Sequence, residues 1–442
     1  MTRTPLSLAA LLAVALLAPT PWADAQSAPT AAEIELAQKL DKLSAELTAL
    51  KAQLAQIQQQ RGVPPAAASM ATAPAQAAPM SVAPAEAVAT AAPAQPATVL
   101  SSYGEINYSR PTNNSANTRA DVARFVLGYQ HRFDEKTKVV AELEVEHAVS
   151  SSGDVGEVAV EQAYVERQFT PSWAGQAGLF LIPVGLLNGN HEPTAYYGVF
   201  RNFVETAIIP TTWREGGVQA IGSFDNGITL QFGLSTGFDL SKWDAASTDG
   251  AQSPLGSIHQ EMSLAKARNL SGFGAINWRG VPGLQLGGSV FSGSASQGQL
   301  STSSNITLWE VHGRYQPGRW DLAALYSRGT ISNTAALNLP LVGNPTLIPS
   351  SFDGGYVSAA YKLWSNPEYA LWPFVRLEQY NTAKSYADLG PGLTPSAAPN
   401  QRVATLGLNF NVGSGVVLKA DVQRFRDNAD LNSVQLGLGW NF

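Results

Sequence analysis

The chain has 442 residues, of which 14 % are charged, and it contains 39 glycines, 27 prolines and no cysteine. This length suits one large barrel with appendages or a few ordinary domains. The formal net charge of −6 offers no electrostatic basis for binding nucleic acid, and the lack of cysteine excludes a disulfide scaffold and a lipid anchor on cysteine. Beyond the N-terminal stretch there is no run of roughly 18 apolar residues, which excludes a helical membrane protein.

The N-terminus has the three parts of an export signal. Arg3 supplies a positive charge, residues 6–17 are apolar, and Ala23 and Ala25 form a small-residue cleavage site. This pattern predicts a secretory signal peptide over residues 1–25. A membrane anchor is the alternative interpretation, but the apolar run is short and no stop-transfer pattern follows it.

A leucine repeat follows in residues 26–61. Its members alternate between intervals of four and three residues: Leu36, Leu40, Leu43, Leu47, Leu50, Leu54 and Ile57. That spacing predicts the seam of a left-handed coiled coil, whereas a lone amphipathic helix, the alternative, would need a wider apolar stripe. Residues 62–98 are rich in Ala, Pro and Gln and carry almost no charge, so they predict an extended, semi-stiff linker.

Residues 99–442 alternate between apolar and polar side chains, which predicts β-strands throughout. Sixteen segments show this pattern: 100–109, 121–133, 137–148, 157–169, 172–181, 215–224, 228–237, 270–278, 284–293, 305–315, 319–329, 353–363, 370–380, 402–411, 416–426 and 433–442. Their connections alternate strictly between short and long, which is typical of a bacterial outer-membrane barrel with tight periplasmic turns. The predicted fold class is all-β, a 16-stranded antiparallel transmembrane β-barrel with an N-terminal α-helical coiled coil.

The two faces of the predicted strands differ in kind. In the third strand Leu143 and Val145 alternate with Glu144 and Glu146. Apolar side chains outside and charged side chains inside fit a wall between lipid and water, although a soluble sandwich shows the same alternation with the faces exchanged. The barrel is favoured because there are many strands, and because most approach the roughly 9 to 11 residues that cross a bilayer.

The last predicted strand alternates apolar residues and ends on two aromatic positions, Trp440 and Phe442. With the signal peptide and the sixteen strands, this pattern resembles the trimeric outer-membrane porins, whose C-terminal aromatic strand is the signal read by the barrel-assembly machinery. The resemblance implies a homotrimer in the outer membrane of a Gram-negative cell, in contact with outer-membrane lipids. It also implies that the coiled coil lies in the periplasm and that no cofactor is needed.

Four segments resemble a narrower group, the phosphate-selective porin O/P family and its dicarboxylate-transporting relatives with N-terminal coiled coils. They are residues 178–185, 191–193, 201–202 and 213–218. Phosphate-selective members owe their selectivity to ladders of arginine and lysine along the pore. Beyond residue 98 this chain has more acidic than basic residues, so phosphate selectivity is not carried over with the resemblance.

The long connection 182–214 follows the fifth strand and is therefore the third external loop, which in porins folds into the barrel and narrows it. Opposed charges at such a constriction decide which solutes pass. The loop and rim candidates are His191, Glu192, Arg201, Glu205 and Arg214. The candidates on the pore wall are Arg124, Arg132, Glu142, Glu144, Glu146, Arg167, Arg314, Arg376 and Lys419. Alternatively, Arg201 and Glu205, four positions apart, form a local ion pair.

Catalysis and metal binding are not predicted. Residues 233–237 match the nucleophile-elbow pattern around Ser235, but no helix is predicted after the strand, as that motif requires. The five histidines lack the spacing of metal ligands.

The predicted function is passive, charge-filtered diffusion of small hydrophilic solutes. The resemblance adds anions such as phosphate or dicarboxylates as preferred solutes. An alternative is a structural role, in which the coiled coil and the linker tether the envelope and the pore is incidental.

Overall fold

The computed structural model describes residues 97–442 and, separately, Lys42 and Ala45, which are helical. The predicted signal peptide, nearly all of the predicted coiled coil and the linker up to residue 96 lie outside the described residues. The domain boundaries at residues 25, 61 and 98 therefore stay predictions, while the barrel can be compared strand by strand.

Residues 97–442 form one antiparallel sheet of sixteen long strands and one two-residue strand. The first strand pairs with both the second and the last, so the sheet closes into a barrel. The strands are β1 (Thr98–Pro111), β2 (Arg119–Arg132), β3 (Thr137–Glu146), β4 (Glu157–Thr170), β5 (Trp173–Leu181), β6 (Arg214–Ser223), β7 (Ile228–Ser235), β8 (Ser271–Val281), β9 (Leu284–Ser294), β10 (Asn305–Tyr315), β11 (Trp320–Ile331), β12 (Ser351–Tyr361), β13 (Trp364–Ser365), β14 (Tyr369–Ser385), β15 (Gln401–Val412), β16 (Val416–Phe425) and β17 (Ser433–Asn441).

Each of the sixteen predicted segments coincides with one long strand, so the prediction of a 16-stranded antiparallel barrel is confirmed. The extra strand β13 lies in the turn between β12 and β14 and pairs with the start of β14. The largest difference in length is at β14, which ends at Ser385 instead of residue 380. It is longer because its pairing with β12 continues past a register shift, up to Ser351.

The two rims of the barrel differ as the connection lengths predicted. In residues 97–442 every second connection is a short turn, and the others are long loops. Gly227, between β6 and β7, has φ 82° and Gly283, between β8 and β9, has φ 77°. These left-handed conformations are readily adopted by glycine, which has no Cβ. We call the rim with the short turns the turn rim and the other the loop rim.

The helices of residues 97–442 lie in the long loops and are short: Ser115–Asn117, Val204–Ile208, Leu240–Lys242, Asp249–Gln252, Gly256–Ile258, Thr334–Asn338, Leu339–Leu341 and Ala429–Leu431. None of the helices in this part of the chain has the length and apolar character needed to cross a membrane.

The orientation of the strands agrees with the prediction from alternation. Leu143, Val311 and Leu418 point outward and are 44 %, 53 % and 46 % exposed. Their neighbours along the same strands, such as Glu144 and Glu310, point inward and are buried. An exposed apolar outer surface around a charged interior is the opposite of a soluble sandwich and matches a wall that faces lipid.

A β-bulge in β4 turns Arg167, which was predicted to line the pore, toward the outside of the barrel. The pairing of β4 with β3 shifts by one residue at Glu161, so that Glu161 and Gln162 both face the lumen. Beyond a bulge the alternation of the strand is reversed. Arg167 therefore lies exposed on the outward face, where it donates to Thr137 Oγ1 at 2.5 Å, and it is not part of the pore wall.

Three long loops fill one side of the lumen, namely L3 (182–213), L4 (236–270) and L6 (332–350). Ser253 of L4 donates to the carbonyl of Ala207 in L3 at 3.1 Å, and Trp243 of L4 donates to the carbonyl of Thr346 in L6 at 3.1 Å. With inward residues of β5 and β8–β12 these loops form a buried apolar cluster that includes Phe180, Trp213, Phe238, Leu255, Phe291 and Phe352. We call this cluster the apolar half of the lumen, and the inward faces of β1–β4 and β14–β17 the polar half.

Candidate pore constriction

The two ends of L3 are held together by hydrogen bonds to the side chain of Asn188. The Asn188 amide donates to the carbonyls of Ile182 and Trp213, both at 2.8 Å, and its oxygen accepts the N–H of Trp213 at 2.7 Å. The three residues are buried. A closed base of this kind is typical of a compact loop packed by its own side chains.

From this base L3 crosses the lumen and binds the opposite wall. Three of its N–H groups donate to inward side chains: Gly198 to Asn409 at 3.1 Å, Val199 to Asp421 at 2.6 Å and Phe203 to Glu378 at 2.7 Å. Buried backbone groups need such partners, so polar residues of β14, β15 and β16 are what allow a loop to lie inside the barrel.

His191, a predicted constriction residue, fixes L3 to β1 and β4. Its Nδ1 lies 2.9 Å from the carbonyl of Asn188, and its Nε2 lies 2.7 Å from Glu161 Oε1. Tyr103 donates to the other oxygen of Glu161 at 2.7 Å. The hydroxyl of Tyr103 also lies 2.8 Å from His191 Nε2, so the ring is held by contacts with L3, β1 and β4. We call the contacts of His191 with Glu161 and Asn188 the latch. Glu192, the next residue of L3, is half-buried.

Glu205 supports the fold of L3 from within. It is buried and accepts four hydrogen bonds. The donors are Leu186 N (2.6 Å), Leu187 N (2.7 Å), the Asn202 amide (2.9 Å) and the Tyr356 hydroxyl of β12 (2.9 Å). Its partners do not include Arg201, so the local ion pair considered from their spacing is not formed.

Arg201 faces the polar half without an acidic partner. Its guanidinium donates to Thr212 Oγ1 at 3.1 and 3.2 Å, and Arg124 of β2 reaches the same hydroxyl at 3.5 Å. Arg124 is paired with Glu105 at 3.0 Å and Glu144 at 3.5 Å. Within residues 97–442 no carboxylate oxygen lies within 4.0 Å of Arg201. Burial and the nearby Arg124 lower the pKa of Arg201.

A polar cavity of about 520 Å³ lies between L3 and the inward faces of β1, β2, β16 and β17. Both Arg124 and Arg201 line it, together with Glu105, Asp121 and others. Thr212, which binds the two arginines, has φ 49°. This is a strained conformation for a β-branched residue. The strain is offset by the hydrogen bonds that the Thr212 hydroxyl accepts from the two buried arginines.

On the other side of L3, cations are neutralised by carboxylates. A cavity of only about 50 Å³ lies there, against β10, β11, β12 and β14. Arg314 binds Asp321 at 2.8 Å, and Arg376 binds Glu378 at 2.9 Å. Arg376 also donates to the carbonyl of Tyr197 at 3.1 Å. These wall residues therefore hold L3 in place and leave little room for a solute.

Two further predicted residues contact the loops directly. Lys419 of β16 is buried, with its Nζ 3.6 Å from the ring centre of Tyr196. Tyr196 in turn donates to Glu105 at 2.8 Å. Arg214 is bound to Glu261 of L4 at 3.2 Å. Lys419 thus belongs to the contact between L3 and the polar half, while Arg214 connects β6 to L4.

The remaining wall candidates lie in the middle of β3 and at the ends of β2 and β3. Glu142 accepts from Gln162 at 2.6 Å. Glu146 is the last residue of β3 and is half-buried, and Arg132 ends β2 at the turn rim, where it is exposed. Glu146 lies directly opposite Arg124 on the neighbouring strand. Glu142 lies near His191 of L3, whereas Arg132 is exposed at the turn rim.

Several residues of the site were not singled out from the sequence: Tyr103, Glu161, Asn188, Thr212, Asn409 and Asp421. Asp421 shares its inward alternation with Lys419, so that pattern could have found it. Glu161 lies at a bulge, where alternation fails, and no sequence pattern marks Thr212 as a partner of two arginines.

Ser235, which the sequence placed in a nucleophile-like pattern, is fully buried at the end of β7. Its hydroxyl donates to the carbonyl of Thr236 at 2.8 Å, and an irregular segment follows the strand. In the part of the chain that the structure describes, no three His, Asp or Glu side chains are grouped as metal ligands would be.

No protein-family model matches the chain. It is similar to an uncharacterized protein of Aquifex aeolicus (strain VF5), with 28 % identity over 354 residues, which are 78 % of this chain and 79 % of that protein. Among solved structures it is similar to OmpF of Salmonella typhi in complex with daunomycin, with a TM-score of 0.53, 12 % identity, and coverage of 78 % of this chain and 97 % of OmpF. A loop-deletion mutant of OmpT from Vibrio cholerae has a TM-score of 0.49 at 11 % identity, covering 78 % of this chain and 100 % of the mutant. The likeness to OmpF shows that residues 97–442 have the fold of an outer-membrane porin barrel.

Proposed function

We propose that the protein is an outer-membrane porin through which small hydrophilic solutes diffuse passively past L3. The observation that carries this proposal is the fixed position of L3, which crosses the lumen and leaves a polar cavity of about 520 Å³ beside it. The charged interior and the apolar outer surface support insertion in a membrane. L3 narrows the channel, and the charges beside the cavity select among solutes.

We further propose that the cavity prefers anions such as phosphate or dicarboxylates. Asp421 and Glu378 accept N–H groups of L3, and Glu105 is paired with Arg124, so these three carboxylates have partners in the protein. Arg201 lines the cavity, and within residues 97–442 it has no carboxylate partner. The resemblance to the dicarboxylate-transporting relatives of the phosphate-selective porin O/P family supports a preference for anions, whereas phosphate selectivity itself is not inferred from it.

The same proposal includes the assembly of the protein. We expect a homotrimer, with the predicted coiled coil of residues 26–61 in the periplasm, and a C-terminal strand recognised by the barrel-assembly machinery. The end of that strand is accessible, since Phe442 is 78 % exposed. Its backbone closes the barrel by exchanging hydrogen bonds with Ser102 at 2.9 and 3.1 Å.

The test is the conductance of the purified protein in a planar bilayer, with the reversal potential measured in a KCl gradient. We expect discrete channels that favour chloride, and an Arg201→Ala variant whose reversal potential shifts toward cation preference. Arg328→Ala, which removes an exposed arginine on the outward face of β11, is the control and should leave selectivity unchanged. A protein that inserts but does not conduct would refute the porin, whereas cation preference in the unaltered protein would refute only the preference for anions.

A further inference from the structure

The outward face of the barrel carries a groove that crosses several strands between β9 and β16. Its volume is about 980 Å³, and it is lined by small residues such as Gly313 and Ala324 beside Val357 and Leu377. A second cavity of about 470 Å³ shares these four residues and continues toward the turn rim. Val357 and Leu377 are 55 % and 53 % exposed. The groove is therefore a long apolar channel on a surface that faces lipid.

The groove ends at the loop rim among three arginines, Arg402, Arg424 and Arg426. Arg402 is the second residue of β15, and Arg424 and Arg426 lie at the end of β16. The two strand ends are joined by a hydrogen bond from Arg426 N to the carbonyl of Arg402 at 2.9 Å. Leu406, further along the outward face of β15, is 66 % exposed. The arginines thus lie at the edge of the apolar band.

Within residues 97–442 one of these arginines is bound to a carboxylate and the other two are not. Arg402 is bound to Asp427 by two hydrogen bonds of 3.0 and 2.8 Å. In residues 97–442 neither Arg424 nor Arg426 has a hydrogen bond or an ion pair from its guanidinium. Three cations against one carboxylate leave a net positive charge where the apolar groove meets the headgroup region. A phosphate is the anion that guanidinium groups bind in bidentate geometry.

We propose that this groove binds a lipid with a phosphate-bearing headgroup, its acyl chains along Val357 and Leu377 and its phosphate on Arg424 and Arg426. The proposal rests on the membrane insertion contained in the proposed function, but not on conduction. A second copy of the chain fits the groove less well, because it would bury the unpaired charge of the arginines without supplying an anion. A lipid supplies acyl chains for the apolar groove and a phosphate for the arginines.

The absence of cysteine permits a local test, because a single cysteine can be placed in the groove and labelled with a fluorophore. Val357→Cys is placed in phosphatidylcholine vesicles that contain a minor fraction of spin-labelled phosphatidylglycerol or spin-labelled phosphatidylcholine, at constant ionic strength. We expect stronger quenching by the anionic lipid, because each arginine near a membrane surface attracts it by about 1 kcal/mol, or about fivefold.

A second outward groove provides the matched control. It has about 1000 Å³, contains Val218, and has a single arginine, Arg167. Val218 is 55 % exposed, as is Val357, but Arg167 is engaged with Thr137. The label at Val218→Cys should therefore show the same quenching by both lipids. The double variant Arg424→Gln, Arg426→Gln should abolish the preference at position 357, and Arg167→Gln should preserve it.

Equal quenching by the two lipids at position 357 would overturn the proposal, and so would a preference that survives Arg424→Gln, Arg426→Gln. Loss of the preference in millimolar inorganic phosphate would show that the arginines bind free phosphate and would also overturn it. Absence of quenching by both lipids, with a barrel whose heat-shifted gel mobility is normal, would indicate that a second copy covers the groove. Conductance of the same preparations reports on the porin separately.

Discussion

The two halves of the lumen hold the same loop by different means. In the apolar half, L3 contributes Trp213 and other side chains to a cluster with L4, L6 and β5 and β8–β12. In the polar half, L3 is held by hydrogen bonds to wall residues such as Asp421 and Glu378. Apolar packing is non-directional and fixes the loop because it excludes water. The hydrogen bonds, in contrast, require donors and acceptors at defined distances and angles.

This difference assigns separate tasks to the two halves. The apolar half stabilises the barrel, because its side chains are closely packed and exclude water. The polar half keeps a cavity of about 520 Å³ beside Arg124 and Arg201. Substitutions in the apolar half should therefore change stability and pore size together, while substitutions in the polar half should change the position of L3 and the selectivity.

The largest effect is expected from Trp213→Ala in the apolar half. Trp213 is fully buried, with its ring centre 5.0 Å from that of Phe238 and 4.5 Å from that of Phe291. Removing a buried tryptophan costs about 3–5 kcal/mol. The variant should unfold at lower temperature and show larger, noisier conductance, since L3 and L4 lose their common packing. Thermal unfolding followed by gel mobility measures the first effect, and single-channel recording the second.

Trp309→Ala is the matched control, because Trp309 points outward and is 38 % exposed. Its removal leaves no cavity in the lumen, so the conductance should stay that of the unaltered protein. If both tryptophan variants widened the channel equally, the apolar half would not be what positions L3.

The next effect is expected from His191→Ala, which breaks the latch in the polar half. Glu161 is fully buried and would lose its partner at 2.7 Å. Leaving a buried carboxylate without one of its polar partners costs about 3 kcal/mol. L3 should become mobile beside β1 and β4 while the apolar cluster persists, so channel noise should rise more than mean conductance. His131→Ala, at a half-buried histidine near the turn rim that is bound to Thr98, is the control and should behave like the unaltered protein.

Strand number and orientation followed from the sequence because they depend on local alternation. In β3 the exposure of Leu143 and the burial of Glu144 repeat the pattern that the residues show. The exception is β4, where Glu161 is an extra residue in a bulge and reverses the direction of Arg167. A bulge depends on how two strands pair, and this register cannot be inferred from the alternation of one strand.

The interior of the barrel was less predictable, because it depends on contacts between distant loops. The inward fold of L3 followed from its place in the order of loops, but the packing of L4 and L6 against it did not. Leu255 and Ile258 are fully buried although they lie at a three-residue helix whose sequence shows no apolar periodicity. Likewise the spacing of Arg201 and Glu205 suggested an ion pair, yet each has other partners. Contacts with residues that are distant in sequence therefore decide the partners of Arg201 and Glu205, and their spacing along the chain does not.

A smaller, pH-dependent effect is expected in the apolar half. Burial and the nearby Lys242 and Arg214 lower the pKa of His259 in L4 to about 4. The charge of Glu157 opposes this shift. Glu261 lies 3.3 Å from the ring, but its carboxylate is bound to Arg214 at 3.2 Å. A histidine with a lowered pKa in the folded state stabilises the fold above its ordinary pKa of 6.5, and this contribution is lost as pH falls toward 4.

Protonation of His259 should therefore weaken the packing of L4 by roughly 2 kcal/mol, after allowance for partial exposure. The measurement compares the thermal unfolding temperature of the unaltered protein and His259→Gln at neutral pH and near pH 4.5. The difference between the two proteins should shrink as the pH falls. A constant difference over this range would show that His259 does not titrate between these values.

The smallest effect is expected at Tyr197, where L3 passes from one half to the other. Its hydroxyl donates to Asp321 at 3.2 Å, and its ring lies 5.8 Å from Trp372 and 5.9 Å from Phe374. Tyr197→Phe removes one hydrogen bond and keeps the ring contacts, so it should cost about 1 kcal/mol. Asp321 stays paired with Arg314 at 2.8 Å, so the reversal potential should not move. Tyr197→Leu, which also loses the ring contacts, should cost more and increase channel noise; equal effects of the two variants would mean that the hydroxyl, and not the ring, holds L3 at this point.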